Sequence, residues 1–271
     1  MNWGSLSQAE RDAAYDNARA VPNTAQLRAA REATSAAYRA AYPDGLDISY
    51  GSKLRQKWDL FPAARKDAPC LVFIHGGYWQ INSREFFACL AQGIASHGWS
   101  AALPGYSLAP EATITDIVGE IDSALDWLAS NGPAHGIAGP IVVSGWSAGG
   151  HLAATALDHP SVKSGLAISG IFDLAPLRDT YLNDKLHLTG DEIARCSPIR
   201  LPVVGKPLAI AYGTAELPAL VTQSRDFHAY RAASGAPGDL VLVEGADHFT
   251  ILDSLGRPDG VLTRLLLGLI Q

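Results

Sequence analysis

Residues of the types that cooperate in nucleophilic catalysis are spread along this 271-residue chain, and the clearest is Ser147. It lies within Gly145-Trp146-Ser147-Ala148-Gly149, directly after an apolar, β-branched run that begins at Ile141. A strand that turns abruptly into a helix, with serine at the apex, can present the hydroxyl outward as a nucleophile elbow. Flanking glycines suit so tight a turn, because a Cβ there would strike a neighbouring element. The same pattern also occurs as a plain structural turn, so other parts of the chain must decide.

A serine hydroxyl is a weak nucleophile near neutral pH and needs a base, which a third group must orient. In chains with a nucleophile elbow, the orienting acid and the histidine come later in the sequence, in loops that follow later strands of the same sheet. Glu216 follows a strand predicted at 207–212, and His248 follows one predicted at 240–243. Glu216 could also be only a first-turn residue of the next helix, where the helix dipole favours a carboxylate. Asp226 is the alternative acid.

Two neighbours of these residues could be mistaken for the base and the acid. His151 lies one helical turn beyond Ser147, where its side chain should point away from the elbow, so we predict a structural role. Asp247 adjoins His248 in sequence and is badly placed to bind its Nδ1, so we interpret it as a turn residue.

A site for a developing negative charge is predicted after the continuously apolar strand at 70–74, where Gly76 and Gly77 follow His75. Glycines there let backbone N–H groups approach a tetrahedral oxyanion, together with the N–H of Ala148. Each such donor is typically worth about 3–4 kcal/mol in a transition state. The alternative is a plain strand-end turn. It is the weaker interpretation, because Ser147, Glu216 and His248 also follow predicted strands, where a hydrolase site requires them.

The elements that must position these loops alternate between strand and helix, which indicates a doubly wound α/β fold with a mostly parallel sheet. Residues 1–46 are predicted to be an N-terminal helical extension and residues 170–206 a small cap or lid, within one domain spanning 1–271. Predicted helices lie at 7–20, 24–41, 84–96, 113–130, 152–157, 218–233 and 260–269, and predicted strands at 47–50, 57–61, 70–74, 100–103, from 141, 166–169, 207–212 and 240–243.

Composition restricts the class of partner. The hydrophobic content is 48%, the formal net charge is −6, and no basic run occurs, which argues against nucleic acid or membrane partners. Three widely spaced cysteines favour a reducing compartment, and the polar N-terminus lacks a signal peptide, so we expect a cytoplasmic protein. We predict no cofactor and no metal, a small-molecule substrate, and a monomer or homodimer.

Several motifs resemble the hormone-sensitive-lipase-like branch of the α/β-hydrolases: His75-Gly76-Gly77, Tyr106-Ser107-Leu108-Ala109-Pro110-Glu111, and Gly145-Trp146-Ser147-Ala148-Gly149-Gly150. The run from His75 to Gln80 resembles the kynurenine formamidases (arylformamidases) more narrowly, because Tyr-Trp replaces the third glycine of the lipase-type motif. Stretches beginning at Asp173, Tyr181 and Glu216 also look like that group. The resemblance is strong from Asp47 to the C-terminus and loose before it.

The resemblance implies an eight-stranded α/β-hydrolase sheet and hydrolysis of an N-formyl aryl amide or an ester. Ser147 would be the nucleophile, His248 the base and then the acid, and Glu216 the orienting acid. Relatives often carry aspartate as the acid, which keeps Asp226 as an alternative. The oxyanion hole would comprise Gly76, Gly77, Ala148 and, since the third motif position is not glycine, Tyr78.

Aromatic residues flank the predicted hole and nucleophile, and their faces could stack on a planar substrate. Trp79 and Trp146 either make such contacts or pack beneath the loops. Tyr181 and Asn183 are substrate contacts by resemblance alone.

Three functions remain as hypotheses. The first is an arylformamidase that acts through an acyl-enzyme, for which a bulky Tyr78 would form a small acyl pocket. The second is a carboxylesterase for short acyl esters. The third is a non-catalytic binding protein on the same fold, since fold does not imply function.

Overall fold

The sheet that carries the predicted loops has eight strands in the order β1-β2-β4-β3-β5-β6-β7-β8, in a computed structural model that describes residues 3–270. Only the β1–β2 and β2–β4 pairs are antiparallel. The predicted eight-stranded, mostly parallel α/β sheet is confirmed. The strands are β1 (Ile48–Ser49), β2 (Lys57–Phe61), β3 (Cys70–Ile74), β4 (Ser100–Pro104), β5 (Ile141–Trp146), β6 (Val162–Ile168), β7 (Leu208–Gly213) and β8 (Leu240–Val243).

Helices cover both faces of this sheet, which is why its central strands are continuously apolar. Alternate residues of β3 belong to two separate cores: Val72 is in the core that includes Ile121, and Phe73 is in the core that includes Leu262. The helices are α1 (Gln8–Ala13), α2 (Asn17–Ala20), α3 (Thr24–Ala41), α4 (Ala91–Ala95), α5 (Ile114–Asn131), α6 (Ala148–Thr155), α7 (Asn183–Leu186), α8 (Gly190–Cys196), α9 (Pro218–Ala233), α10 (Asp253–Gly256) and α11 (Val261–Gly268).

The N-terminal region differs from its prediction in one respect. The single helix predicted at 7–20 is wrong: α1 ends at Ala13, and the Asp16 side chain accepts a hydrogen bond from the Arg19 N–H, which starts α2 as a new helix. The break places Asp16 at a bend in the chain. Helix α3 has its predicted bounds and is fixed to the sheet by Arg39, whose Nε lies 2.8 Å from Asp59 Oδ2 on β2.

Other predicted elements shift for local reasons. The helix predicted at 84–96 is a 3₁₀ helix over Arg84–Leu90 followed by the short α4. Ser35 of α3 explains part of this change, because its hydroxyl donates to the Phe86 carbonyl and accepts from the Cys89 N–H. Strand β6 begins at Val162, four residues before its prediction, because Val162 and Ser164 already pair with β5. Residues 170–206 contain α7, α8 and short 3₁₀ turns.

Replacement of Gly149 tests how tightly α6 packs behind the elbow. A Cβ at this position would lie 2.0 Å from the Ile74 carbonyl oxygen and 2.6 Å from that of His75. We therefore expect Gly149→Ala to lower the free energy of unfolding by about 2–3 kcal/mol, measured by urea denaturation. Gly119→Ala, in α5 with nothing within 4 Å, is the matched control and should raise it by about 0.5–1 kcal/mol. Equal effects of the two substitutions would contradict this account.

Candidate active site

Ser147 lies at the turn between β5 and α6 in a backbone conformation that non-glycine residues rarely adopt, with φ 58° and ψ −119°. Two contacts explain the flanking glycines: a Cβ on Gly145 would lie 2.0 Å from the Gly149 carbonyl oxygen, and one on Gly149 would strike β3. The Ser147 N–H donates to the Ile168 carbonyl of β6 at 2.8 Å, which anchors the turn to the next strand. Such strain persists only where the surroundings hold it, as at functional sites.

A buried acid–histidine pair lies at the same edge of the sheet. His248 Nδ1 is 2.8 Å from Glu216 Oε2, and the Glu216 side chain is fully buried. The other carboxylate oxygen accepts hydrogen bonds from Ser169 Oγ at 2.6 Å and from the Gly213 N–H at 2.7 Å. A carboxylate at Nδ1 places the proton there, so Nε2 is left as the acceptor.

The structure brings Glu216, not Asp226, to this histidine. Asp226 is exposed on α9 and lines a separate cavity beside Tyr15 and Asp173. Asp247 accepts hydrogen bonds through Oδ1 from the N–H groups of Phe249 and Thr250, as a turn residue does.

His151 points away from the elbow and contacts residues 170–206, the cap-like segment. Its Nε2 lies 2.6 Å from the Cys196 carbonyl oxygen, and burial lowers its pKa to about 4. It is therefore neutral near pH 7, and its place in the fold agrees with the predicted structural role.

The loop after β3 has the features of an anion-binding turn. Gly77 has φ +123°, and a Cβ on Gly76 would lie 2.4 Å from the Trp146 carbonyl oxygen. Among residues 3–270, the N–H groups of Gly77 and Ala148 donate no hydrogen bond, so both are unpaired at this edge of the sheet. The carbonyl of Gly76 accepts from Asn82 Nδ2 at 3.0 Å. Because a trans peptide directs its C=O and N–H to opposite sides, Asn82 orients the Gly77 N–H.

Asn82 was not found by sequence reasoning, and its removal tests this orientation. Asn82 has φ 75°, so glycine can replace it without backbone strain. Asn82→Gly removes the hydrogen bond to the Gly76 carbonyl and the one that Asn82 accepts from Arg28. We expect kcat to fall about tenfold, because the first of these bonds orients a transition-state donor. Steady-state kinetics on a hydrolysed ester or amide measures the effect. A change in KM alone would mean that Asn82 serves substrate binding and not the orientation of the loop.

A cleft of about 420 Å³ opens above these residues. The N-terminal helices form much of its wall, and α3 also fixes the loop that carries His248, since Arg31 donates to the Phe249 carbonyl at 2.9 Å. The cleft is lined by Asp16, Asn17, Ala18, Thr24, Arg28, Gly77, Tyr78, Gln80, Ile81, Asn82, Trp146, Ser147, Tyr181, Leu182, His248 and Phe249.

Ser147 and His248 both face this cleft. Within the described part of the chain, no hydrogen bond joins the Ser147 hydroxyl to His248 Nε2. Catalytic hydrogen bonds are often long or poorly aligned in ligand-free enzymes and tighten when substrate binds.

The four predicted substrate contacts separate into two pairs. Trp146 and Tyr181 line the cleft, and Trp146 also donates through Nε1 to the His248 carbonyl at 2.7 Å, which holds the histidine loop. Trp79 and Asn183 do not line it, in contrast to the prediction. Trp79 is completely buried against His151, with ring centroids 5.0 Å apart. Asn183 Oδ1 instead accepts from the Leu188 N–H within the cap-like segment.

Tyr78 lies on the oxyanion loop and is tied to the N-terminal helices. Its hydroxyl donates to the Tyr15 carbonyl at 2.7 Å and accepts from Asn17 Nδ2 at 2.9 Å. Burial raises the pKa of Tyr78 well above its usual range, so the phenol stays neutral and is not a source of negative charge in the cleft.

Two further properties concern residues 3–270 as a whole. They contain no group of three or more potential metal ligands, and none of their helices is long and apolar enough to cross a membrane. The three cysteines are free and buried.

Comparison with known proteins places this arrangement in context. The BD-FAE family model matches residues 59–162. Kynurenine formamidase of Danio rerio is 27% identical over 99% of this chain and 98% of its own length. Kynurenine formamidase of Salmo salar is 29% identical over 82% of this chain and 80% of that protein. A solved structure from Silicibacter sp. TM1040, described as a candidate thioesterase, is 31% identical with a TM-score of 0.87, covering 95% of this chain and 99% of that one.

Proposed function

The chain is an α/β-hydrolase of the kynurenine formamidase and esterase type, and from this premise we propose that it removes the formyl group from an aryl amide such as N-formylkynurenine. Its relatives are hydrolases, so it is an enzyme of the serine hydrolase type and not a non-catalytic binding protein. One observation carries the choice of substrate. Similarity to the Danio rerio formamidase extends over 99% of the chain and so includes the N-terminal helices that line the cleft.

In the proposed reaction, Ser147 Oγ attacks the formyl carbon while His248 Nε2 accepts the hydroxyl proton. Glu216 holds the resulting imidazolium through Nδ1, and its own position is held by Ser169 and Gly213. The negative charge that develops on the formyl oxygen is stabilised by backbone N–H groups of the loop after β3 and of Ala148.

The second half of the reaction restores the enzyme. His248 donates its proton to the nitrogen of the departing aryl amine as the C–N bond breaks, which leaves a formyl ester on Ser147. Water then attacks that ester with His248 as base, formate leaves, and Ser147 regains its proton. A formyl group has only hydrogen on the acyl side, which suits a site where Tyr78 occupies the position of a third glycine.

A paired assay tests the proposal. We expect kcat/KM for N-formylkynurenine to exceed that for p-nitrophenyl acetate. On the proposal that Tyr78 limits the acyl side to small groups, p-nitrophenyl butyrate should be poorer still. A preference for esters that grows from acetyl to butyryl would instead support a short-chain carboxylesterase and exclude the formamidase.

A further inference from the structure

Within residues 3–270, the charged side chains of the cleft wall have no ion-pair partners. Among the described residues that line the cleft, Arg28 is the one side chain with a permanent positive charge and Asp16 is the one carboxylate. Neither forms an ion pair with the other or with any other residue in 3–270. Opposite charges that face one cleft without compensation are suited to a ligand that carries both signs.

Arg28 is held in place although it lacks an acidic partner. Its Nη2 donates to Asn82 Oδ1 at 2.9 Å, and its guanidinium carbon lies 4.8 Å from the centre of the Phe86 ring. These contacts use one of five N–H donors and leave the others free for a ligand. Because the planar guanidinium matches a carboxylate in bidentate geometry, a carboxylate is the preferred partner.

Asp16 is fixed in a similar way. One carboxylate oxygen accepts the Arg19 N–H at the start of α2, at 3.0 Å, and the other has no hydrogen-bond partner among the described residues. The neighbouring Asn17 is buried, and its amide is oriented: Tyr78 donates its only hydroxyl proton to Tyr15, so Asn17 must present Nδ2 to Tyr78. Asn17 Oδ1 is then a buried acceptor without a donor. Both residues therefore offer acceptors suited to an ammonium group.

We propose that Arg28 and Asp16 form a recognition site for the amino-acid group of a zwitterionic substrate, with Arg28 on the carboxylate and Asp16, assisted by Asn17, on the ammonium. The site selects aryl amides or esters that carry a free α-amino acid. The inference rests on the proposed function for the identity of the reacting group, while the charge recognition applies to either type of scissile bond.

Substrates that lack either the carboxylate or the ammonium group test the proposed roles of Arg28 and Asp16 separately. N-Formylkynurenine carries both charges, N-formylkynuramine lacks the carboxylate, and 4-(2-formamidophenyl)-4-oxobutanoate lacks the ammonium. We expect Arg28→Gln to lower kcat/KM about tenfold to a hundredfold on the two carboxylate-bearing substrates and much less on N-formylkynuramine, because charge-assisted hydrogen bonds are lost. Glutamine is too short to keep the Arg28 contact with Asn82, and the rate on N-formylkynuramine measures that loss separately. Asp16→Asn keeps the cap of α2 and should show the complementary pattern, with its loss confined to the ammonium-bearing substrates.

Arg19→Gln is the matched control, since Arg19 is an exposed arginine on α2 that does not line the cleft. It should leave all three kcat/KM values unchanged. An equal loss with Arg28→Gln on all three substrates would overturn the proposal and assign Arg28 to the positioning of Asn82. No loss on any substrate would overturn it as well.

An ester pair separates this inference from the proposed function. If the wild-type enzyme does not cleave formamides, O-acetyltyrosine and p-tolyl acetate provide the same comparison with and without the amino-acid group. A preference for O-acetyltyrosine that Arg28→Gln abolishes would retain the recognition site and discard the formamidase. Formamidase activity without a preference for substrates that carry the amino-acid group would retain the proposed function and discard the recognition site. Calorimetric binding of kynurenine, weakened by Arg28→Gln, is the readout that needs no turnover, and absence of binding to the wild type would count against the site.

Discussion

Ser147→Ala should lower kcat by about 10⁴–10⁶-fold, because loss of a nucleophile removes the covalent route and leaves only the contributions of binding and the oxyanion hole. The fold should survive, since the contact that anchors the turn is made by the backbone N–H of residue 147 and not by the hydroxyl. Circular dichroism and the thermal midpoint measure the fold, and single-turnover kinetics measures the residual rate on N-formylkynurenine and on p-nitrophenyl acetate.

Ser144 provides the matched control for this experiment. It is a fully buried serine on β5, and its Oγ has no hydrogen-bond partner in the structure. Ser144→Ala should keep full activity and should not lower stability, since an unpaired buried hydroxyl contributes nothing to it. Wild-type rates with Ser147→Ala would exclude the proposed mechanism outright.

Glu216→Gln has the second largest expected effect, a fall in kcat of about 10³–10⁴-fold. The glutamine carbonyl can still accept from Ser169 and Gly213, so its amide NH₂ must face His248 Nδ1. An NH₂ donor there requires Nδ1 to be the acceptor, which moves the proton to Nε2. The histidine then cannot take the proton of Ser147, although every heavy atom keeps its place.

Asp226→Asn separates the two candidate acids. Asp226 is exposed and lines a different cavity from His248, so this variant should retain wild-type kcat while Glu216→Gln does not. We do not expect high pH to restore the kcat of Glu216→Gln, because the defect is the wrong tautomer of the His248 ring and not an unwanted proton on it. The opposite ranking of the two variants would assign the acid to Asp226.

The loops that meet at the cleft were predictable because they follow strands of one parallel sheet, whose carboxyl ends lie at the same edge. Apolar runs located those strands, and the loops that follow them carry Gly76, Ser147, Glu216 and His248. Ser169 also follows a strand, but a lone serine with no motif around it carries no signal. Its positive φ of 49° becomes visible only in the structure.

Contacts between distant segments could not be predicted in this way. The alanine-rich pattern before β1 predicts helices but not the surface on which they pack, so Asp16, Asn17 and Arg28 were not expected in the cleft. The two tryptophans illustrate a second limit. Trp79 and Trp146 both lie near glycines at strand ends, and both are buried, but Trp146 lines the cleft and Trp79 does not. The backbone geometry at each strand end, which sequence does not reveal, makes this difference.

The reacting groups and part of the cleft wall come from different segments of the chain, and this affects how such an enzyme can change in evolution. Ends of sheet strands supply the reacting groups, while helices before the first strand supply Arg28 and other parts of the wall. Substitutions at wall positions that do not contact the reacting loops can therefore alter which molecules are accepted without moving the reacting groups. For laboratory evolution, a library confined to positions 16, 18 and 24 would explore new substrates at little risk to the reaction chemistry, whereas position 28 also contacts Asn82.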